Sequence, residues 1–271
     1  MTGTVDNAWG RNTLQWVLIG LALLVASPGR SAFEAEAVGP AERGAGTAMA
    51  LSLGDTTISP AFSVYGFNPF GLSQIDFASV SVAVPMRGAL KRAAFSYTRL
   101  AALSYCEQTW TASAALGRGR ALVEPRLRLG CLELDGALQD WAVLVDLAAR
   151  GQVTDALTLA VAVENPLALG LVKEHSGVPQ RLKFGLGILA SGKLGFGFEV
   201  LKEPRFPISV RSGVEWNASR GVCVRAGMRT SPAELAFGVG LRHGWVAIDV
   251  ASGFNLDLGT THEAGITLIW K

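Results

Sequence analysis

Arg181–Ala190 reads RLKFGLGILA, and beyond a Ser191-Gly192 break Lys193–Val200 reads KLGFGFEV. In the first stretch Leu182, Phe184, Leu186, Ile188 and Ala190 alternate with Arg181, Lys183, Gly185 and Gly187. In the second, Leu194, Phe196, Phe198 and Val200 alternate with Lys193, Gly195, Gly197 and Glu199. Successive side chains of a strand point to opposite faces of its sheet. A period of two sustained over this length therefore predicts two strands joined by a tight turn, each with one apolar face and one small or charged face.

The same split extends in both directions. Downstream, Ile208, Val210, Val214 and Trp216 oppose Ser209, Arg211, Gly213 and Glu215, and Val222, Val224, Ala226 and Met228 oppose Cys223, Arg225, Gly227 and Arg229. Leu235, Phe237, Val239 and Leu241 oppose Ala236, Gly238, Gly240 and Arg242; Val246, Ile248 and Val250 oppose Trp245, Ala247 and Asp249; Ile266, Leu268 and Trp270 end the pattern. Ala218–Gly221, Ser231-Pro232 and His243-Gly244 are connections of hairpin size. Upstream, Leu157–Glu164 alternates, and strands fit Ile75–Val84, Lys91–Leu100, Cys106–Leu116 and Ala121–Leu134. Trp141–Arg150 has the Ala and Leu of a helix but stands between alternating neighbours, so it too reads as a strand. One more strand before Ile75 brings the total to about fourteen, the even number expected of a bacterial single-chain barrel.

The 271 residues are 49% hydrophobic and only 17% charged, with a mean hydropathy of +0.33. Beyond the N-terminus no run approaches the roughly 18 apolar residues of a spanning helix. An apolar chain without apolar runs is what a lipid-facing barrel produces, since only every second residue meets lipid. A soluble β-sandwich also alternates, but its water-exposed face would carry more Lys and Glu than the Gly, Ala, Ser and Thr found here. The expected fold is all-β, a transmembrane antiparallel β-barrel.

A net charge of +2 and a pI near 8.5, with no dense basic run, give no case for nucleic acid. Three dispersed Cys and the isolated His175, His243 and His262 form no zinc pattern. Glu174-His175-Ser176-Gly177 lies in the polar stretch Lys173–Gln180 and reads as a solvated loop. Gly185-Leu186-Gly187 and Gly195-Phe196-Gly197 do not open helices, as phosphate loops must. No catalytic residue, cofactor or metal is expected, and the chain reads as a non-enzyme.

Arg11 precedes the mostly apolar Leu14–Ser27, LQWVLIGLALLVAS, too short for a comfortable span but suited to a signal-peptide core. Ala35-Glu36-Ala37 offers a small-x-small cleavage site, so 1–37 is expected to be a signal peptide and the bacterial outer membrane the destination.

If the apolar face meets lipid, a charge on that face near the midplane would cost roughly 2–4 kcal/mol. The charges on the other face should then line the lumen: Arg126, Arg128, Asp146, Glu164, Arg181, Lys183, Lys193, Glu199, Arg211, Glu215, Arg225, Arg229, Arg242 and Asp249. Such a set can form a salt-bridged interior or a mildly cationic path for anions and amphiphiles. Trp141, Trp216 and Trp270, near strand ends on the apolar face, suit an interfacial aromatic girdle. A two-residue turn at Arg118-Gly119 would pair residues whose numbers sum to 237, setting Trp110 opposite Leu127 and Cys106 opposite Cys131. Directly opposed residues lie within disulfide range, so Cys106–Cys131 is a candidate bond and Cys223 would be left free.

Gly39–Leu72, GPAERGAGTAMALSLGDTTISPAFSVYGFNPFGL, resembles the N-terminal signature of PorV/PorQ-like outer-membrane proteins, relatives of the FadL-type long-chain fatty acid transporters. Gly39, Arg43, Gly44, Gly46, Asp55, Asn68, Pro69, Gly71 and Leu72 occupy the signature positions. Thr47-Ala48 stands where a second Gly is usual, and Thr56 replaces a second acid. Ser212-Gly213-Val214-Glu215-Trp216, Arg225-Ala226-Gly227-Met228-Arg229 and Leu258-Gly259-Thr260-Thr261-His262 resemble later strands of that family. The resemblance implies a FadL-like barrel over 75–271, with 38–74 supplying a plug-like segment in or near the lumen and a first strand. It further implies passage of a hydrophobic or amphipathic solute, or a secretion-associated adaptor role toward a cargo protein. The other partner is outer-membrane lipid. A structural envelope barrel without a conducting path and an exported soluble β-protein are the alternatives.

Overall fold

The computed structural model describes residues 59–134, 138–167 and 180–270. The expected signal peptide, most of the Gly39–Leu72 signature and the Glu174-His175 cluster lie outside them. Fourteen strands follow one another: β1 Ala61–Asn68, β2 Ile75–Pro85, β3 Leu90–Ala102, β4 Tyr105–Arg118, β5 Ala121–Leu134, β6 Leu138–Gln152 and β7 Leu157–Glu164. The second half comprises β8 Arg181–Ser191, β9 Leu194–Lys202, β10 Ser209–Ser219, β11 Val222–Thr230, β12 Ala233–His243, β13 Val246–Asn255 and β14 Gly259–Ile269. Each strand pairs antiparallel with its sequence neighbours, and β1 also pairs with β14, so the sheet closes into a barrel without a free edge.

Trp141–Arg150 is strand, part of β6, and the strand assigned before Ile75 is β1. The last strand starts at Gly259, seven residues ahead of its expected start at Ile266. Its first half presents Thr260, His262 and Ala264 where other strands present Leu or Val, so its hydrophobic period is faint. The Asn-Pro-x-Gly part of the signature shapes the β1–β2 connection. Asn68 donates its side-chain amide to the Ile75 carbonyl and to Asp76 Oδ1, at 3.1 and 2.7 Å. The Phe70 N–H donates to Thr261 Oγ1 at 2.8 Å, tying this connection to β14.

Registers carried around the ring assign every strand residue to one of two faces. Outward lie Val64, Phe95, Leu127, Leu147, Leu159, Phe184, Phe196, Phe198, Leu235, Phe237, Val239 and Ile266, all exposed. Phe237, at 54% exposure, is one of a continuous row with Leu235, Val239 and Leu241. Soluble monomers rarely show contiguous apolar surface beyond a few hundred Å², whereas here exposed apolar residues recur on the outward face of strands all around the barrel.

Two expectations about individual residues are corrected. Leu182 lies on the outward face with Phe184 and Ile188 yet is only 7% exposed, because it sits at the end of β8 between Val163 and Lys202. The β4–β5 turn is at Gly119-Arg120, one residue beyond Arg118-Gly119. Gly119 takes the φ of +62° that suits the first central residue of such a turn. Moving a two-residue turn by one changes the pairing sum by two, so Trp110 faces Leu129, Cys106 faces Glu133 and Cys131 faces Gln108. Cys106 and Cys131 are free thiols, as is Cys223.

Outward Trp and Tyr rings gather at two levels. Tyr97, Trp110 and Trp141 form a row toward one end, Tyr97 tilted against Trp110 at 5.6 Å and Trp110 stacked on Trp141 at 6.0 Å. Trp216 and Trp270 are exposed toward the other end, where Trp245 is exposed in the β12–β13 turn. The connections at this second end are short, with 86–89 and 153–156 the longest; the opposite end carries 69–74, 165–180 and 203–208.

Candidate functional site

The inward face is the candidate site. It is built from two unlike walls. Along β8–β14 glycine is the commonest inward residue: Gly185 and Gly187, Gly195 and Gly197, Gly213, Gly227, Gly238 and Gly240, Gly253 and Gly265. Along β1–β6 small inward residues such as Ser79, Ser81, Ser96 and Thr109 are interrupted by an apolar patch. Phe67 and Phe77 stack at 4.6 Å, Tyr65 lies 6.0 Å from Phe77, and Leu132, Ala142 and Leu144 form a buried cluster against Tyr105. Alternation alone could not reveal this apolar inner patch, since its Leu and Phe residues have the composition of an outer face.

Charges on the inward face lie flat along the wall and pair with strands one or two positions away. Arg225 on β11 donates from Nε to Glu215 on β10 at 2.7 Å. Its Nη1 passes over β12 to Asp249 on β13 at 2.6 Å. Gly240 makes that crossing possible: a Cβ there would lie 2.6 Å from Asp249 Oδ1 and 2.9 Å from Arg225 Nη1. Arg92 on β3 likewise spans β4 to reach Glu124 at 3.0 Å, and Glu124 also accepts from Arg126 at 2.9 Å. Arg128 donates to Asp146 at 2.9 Å, and Asp146 also accepts from the Asn165 N–H at 2.9 Å.

Toward the long-loop end, Lys183 meets Glu164 at 2.7 Å, and Arg181 lies between Glu164 at 3.7 Å and Glu203 at 3.1 Å. Arg211 pairs with Glu199 at 3.2 Å, and Arg229 pairs with Glu234. Glu199 and Glu263, at 2% and 1% exposure, are among the most buried side chains of the described residues. Buried charges are tolerated only when paired and hydrogen-bonded, and the lateral pair with Arg211 meets that demand for Glu199.

Thus twelve of the fourteen charges drawn from the sequence lie in the lumen wall: Arg126, Arg128, Asp146, Glu164, Arg181, Lys183, Glu199, Arg211, Glu215, Arg225, Arg229 and Asp249. Lys193 does not; it stands exposed in the β8–β9 turn, because the strand stops at Ser191 and resumes at Leu194. Arg242 has inward parity but sits exposed at the rim, one residue from the end of β12.

The sequence reading missed Arg92, Arg150, Glu107, Glu124, Asp140, Glu203, Glu234 and Glu263. Glu124 shares the period of Arg126 and Arg128, and Glu234 that of Ala236, so both were within reach. Glu263 and Asp140 fell before the strand starts drawn for β14 and β6. Glu203 follows β9, where alternation carries no information. Most of the missed residues are acidic, so among the described residues carboxylates outnumber cations in the lumen. Among the described residues the lining is therefore nearly balanced in charge, with carboxylates slightly in excess.

His262 faces outward and its Nδ1 lies 2.8 Å from Ser252 Oγ. His243, the last residue of β12, is exposed.

No family model matches the chain, and no curated protein sequence matches it. Among solved structures it is similar to the outer membrane protein Omp33 of Acinetobacter baumannii, with a TM-score of 0.54 at 8% identity, covering 79% of this chain and 98% of that one. The KdgM porin (TM-score 0.45, 11% identity, 78% and 99% covered) and an engineered mutant of the Rh. blastica porin (0.45, 9%, 78% and 99%) also align. The likeness in fold rests on the first of these: the chain adopts a closed antiparallel barrel of the outer-membrane type.

Proposed function

We propose that this chain is a bacterial outer-membrane barrel that passes a small solute through its lumen, without enzymatic chemistry. The observation that carries the reading is the lateral pairing of the inward charges. Arg225 with Glu215 and Asp249, Arg128 with Asp146 and Arg92 with Glu124 each follow the wall over one or two strands. Glycines such as Gly185, Gly197, Gly227 and Gly238 add no side-chain bulk of their own to the wall along β8–β14. The mostly apolar, exposed outer wall supplies the lipid contact that such a protein needs.

A hydrophobic or amphipathic solute is the finer proposal. Phe67, Phe77, Leu132 and Leu144 give the lumen an apolar surface beside paired charges, and this suits the PorV/PorQ- and FadL-like resemblance. A second reading, a secretion-associated adaptor or structural barrel without a conducting path, is favoured by the burial of Glu199 and Glu263. Single-channel recording in planar bilayers separates the two. The passage reading expects discrete conductance steps with weak selectivity, shifted toward cations when Arg225 and Arg229 are replaced by Gln. A folded, inserted protein that never conducts overturns it in favour of the second reading, and co-purification with a secreted protein then distinguishes adaptor from structural barrel.

A further inference from the structure

The two rims of the barrel differ in charge as well as in loop length. At the short-turn end nearly every hairpin carries an exposed cation: Arg87 and Lys91 at β2–β3, Arg118 and Arg120 at β4–β5, Lys193 at β8–β9, Arg220 at β10–β11 and Arg242 at β12–β13. The one carboxylate in these turns is Asp155, which pairs with Arg120 at 2.7 Å. The other six cations have no carboxylate partner among the described residues. At the opposite end the pattern reverses: Arg181, Arg211 and Arg229 are all ion-paired, and exposed Asp76 and Asp257 offset the exposed basic residues. Six cations without a carboxylate partner, spread over five of the six hairpins of this end, are not explained by folding, since none of them satisfies a carboxylate neighbour.

Their depth supplies the explanation. Trp216, Trp245 and Trp270 are exposed on the same end, and amphipathic Trp rings settle at the headgroup level of a bilayer. The cations emerge in the turns just beyond that level, where lipid phosphates lie. We infer that the short-turn rim is a basic collar that binds the headgroups of anionic glycerophospholipids in the leaflet it meets. Short turns face the periplasm in bacterial barrels, which makes this the inner leaflet of the outer membrane. The inference rests on the membrane-barrel reading above and adds a lipid preference to it.

Native mass spectrometry of the full chain, folded and then exposed to equal amounts of phosphatidylglycerol and phosphatidylcholine, tests it. Folding in phosphatidylcholine alone, seen as heat-modifiable migration, tests the barrel separately; failure there counts against the membrane reading and not the collar specifically. The collar predicts several-fold more bound phosphatidylglycerol than phosphatidylcholine. That preference should vanish when Arg87, Lys91, Arg118, Lys193, Arg220 and Arg242 are all replaced by Gln, and persist when Arg99, Lys202 and Arg205 at the opposite end are replaced instead. In the unaltered protein it should also collapse near 1 M salt, where the Debye length falls to about 3 Å, which keeps the test decisive if the sixfold variant does not fold. Equal binding of the two lipids by a folded, unaltered chain overturns the inference, and so does equal loss of preference in the two variants.

Discussion

The outer and inner faces of this barrel invert the rule of soluble proteins. Outside, Leu127, Leu235, Phe237 and Ile266 are exposed; inside, Arg211, Glu199, Asp146 and Glu263 are buried. Both faces come from the same strands, one residue apart, so neither composition nor strand propensity separates them. The separation comes from solvent: lipid accepts the apolar side and rejects charge, and the interior accepts charge where ions such as Arg225, Arg128 and Arg211 find partners along the wall. Substitutions on the two faces should therefore fail for different reasons.

The largest effect is expected inside. Arg225→Met leaves Glu215 and Asp249 facing each other without their shared cation. Breaking a buried pair by removing one partner costs about 3–5 kcal/mol, and the partial exposure of Glu215 places this site near 3 kcal/mol. Adding Glu215→Gln and Asp249→Asn should restore most of the loss, as read from denaturant unfolding in lipid vesicles. Full cost without any rescue would mean that Arg225 acts through packing and not through its charge.

Outside, Phe237→Arg should cost roughly 2–4 kcal/mol in the same assay, with no second-site rescue, because the charge meets hydrocarbon. Phe237→Leu should be close to neutral. If Arg were tolerated at position 237 as well as Leu, the outer face would be meeting water.

A smaller effect is expected where the inner face depends on absence of a side chain. Gly240→Val pushes a branched group into the Arg225–Asp249 crossing, and overpacking of this kind costs about 1–3 kcal/mol. Coupling to Arg225→Met in a double-mutant cycle should be large, because removing the guanidinium frees the space the valine needs. Additive effects would place the strain elsewhere.

Much of this division was legible in the sequence, and the exceptions have physical causes. Period two gave the strands and the face of twelve charges because one-residue alternation is the geometry of the strand itself. It could not locate the β4–β5 turn: Gly117-Arg118-Gly119-Arg120 offers two glycines, and only the structure shows that Gly119 takes the left-handed φ. That single residue decides whether Cys106 meets Cys131 or Glu133. The inner apolar patch of Phe67, Phe77 and Leu144 was illegible for a different reason, since alternation says that two faces differ without saying which faces lipid. Glu263 was lost with the weakly patterned start of β14. Lys193 was misplaced because alternation continues on paper through a turn that the chain uses to reverse.

The central claim is that odd positions of Leu235–Leu241 face lipid and even ones face the interior. It can be tested most directly by placing a single spin-labelled cysteine at each of residues 235–241, in a chain whose Cys106, Cys131 and Cys223 have been replaced by Ala, folded into vesicles. The account predicts collision with lipid-dissolved oxygen that is high at 235, 237, 239 and 241 and low at 236, 238 and 240. Uniform accessibility along the strand, or oxygen collisions peaking at 236, 238 and 240, would contradict it.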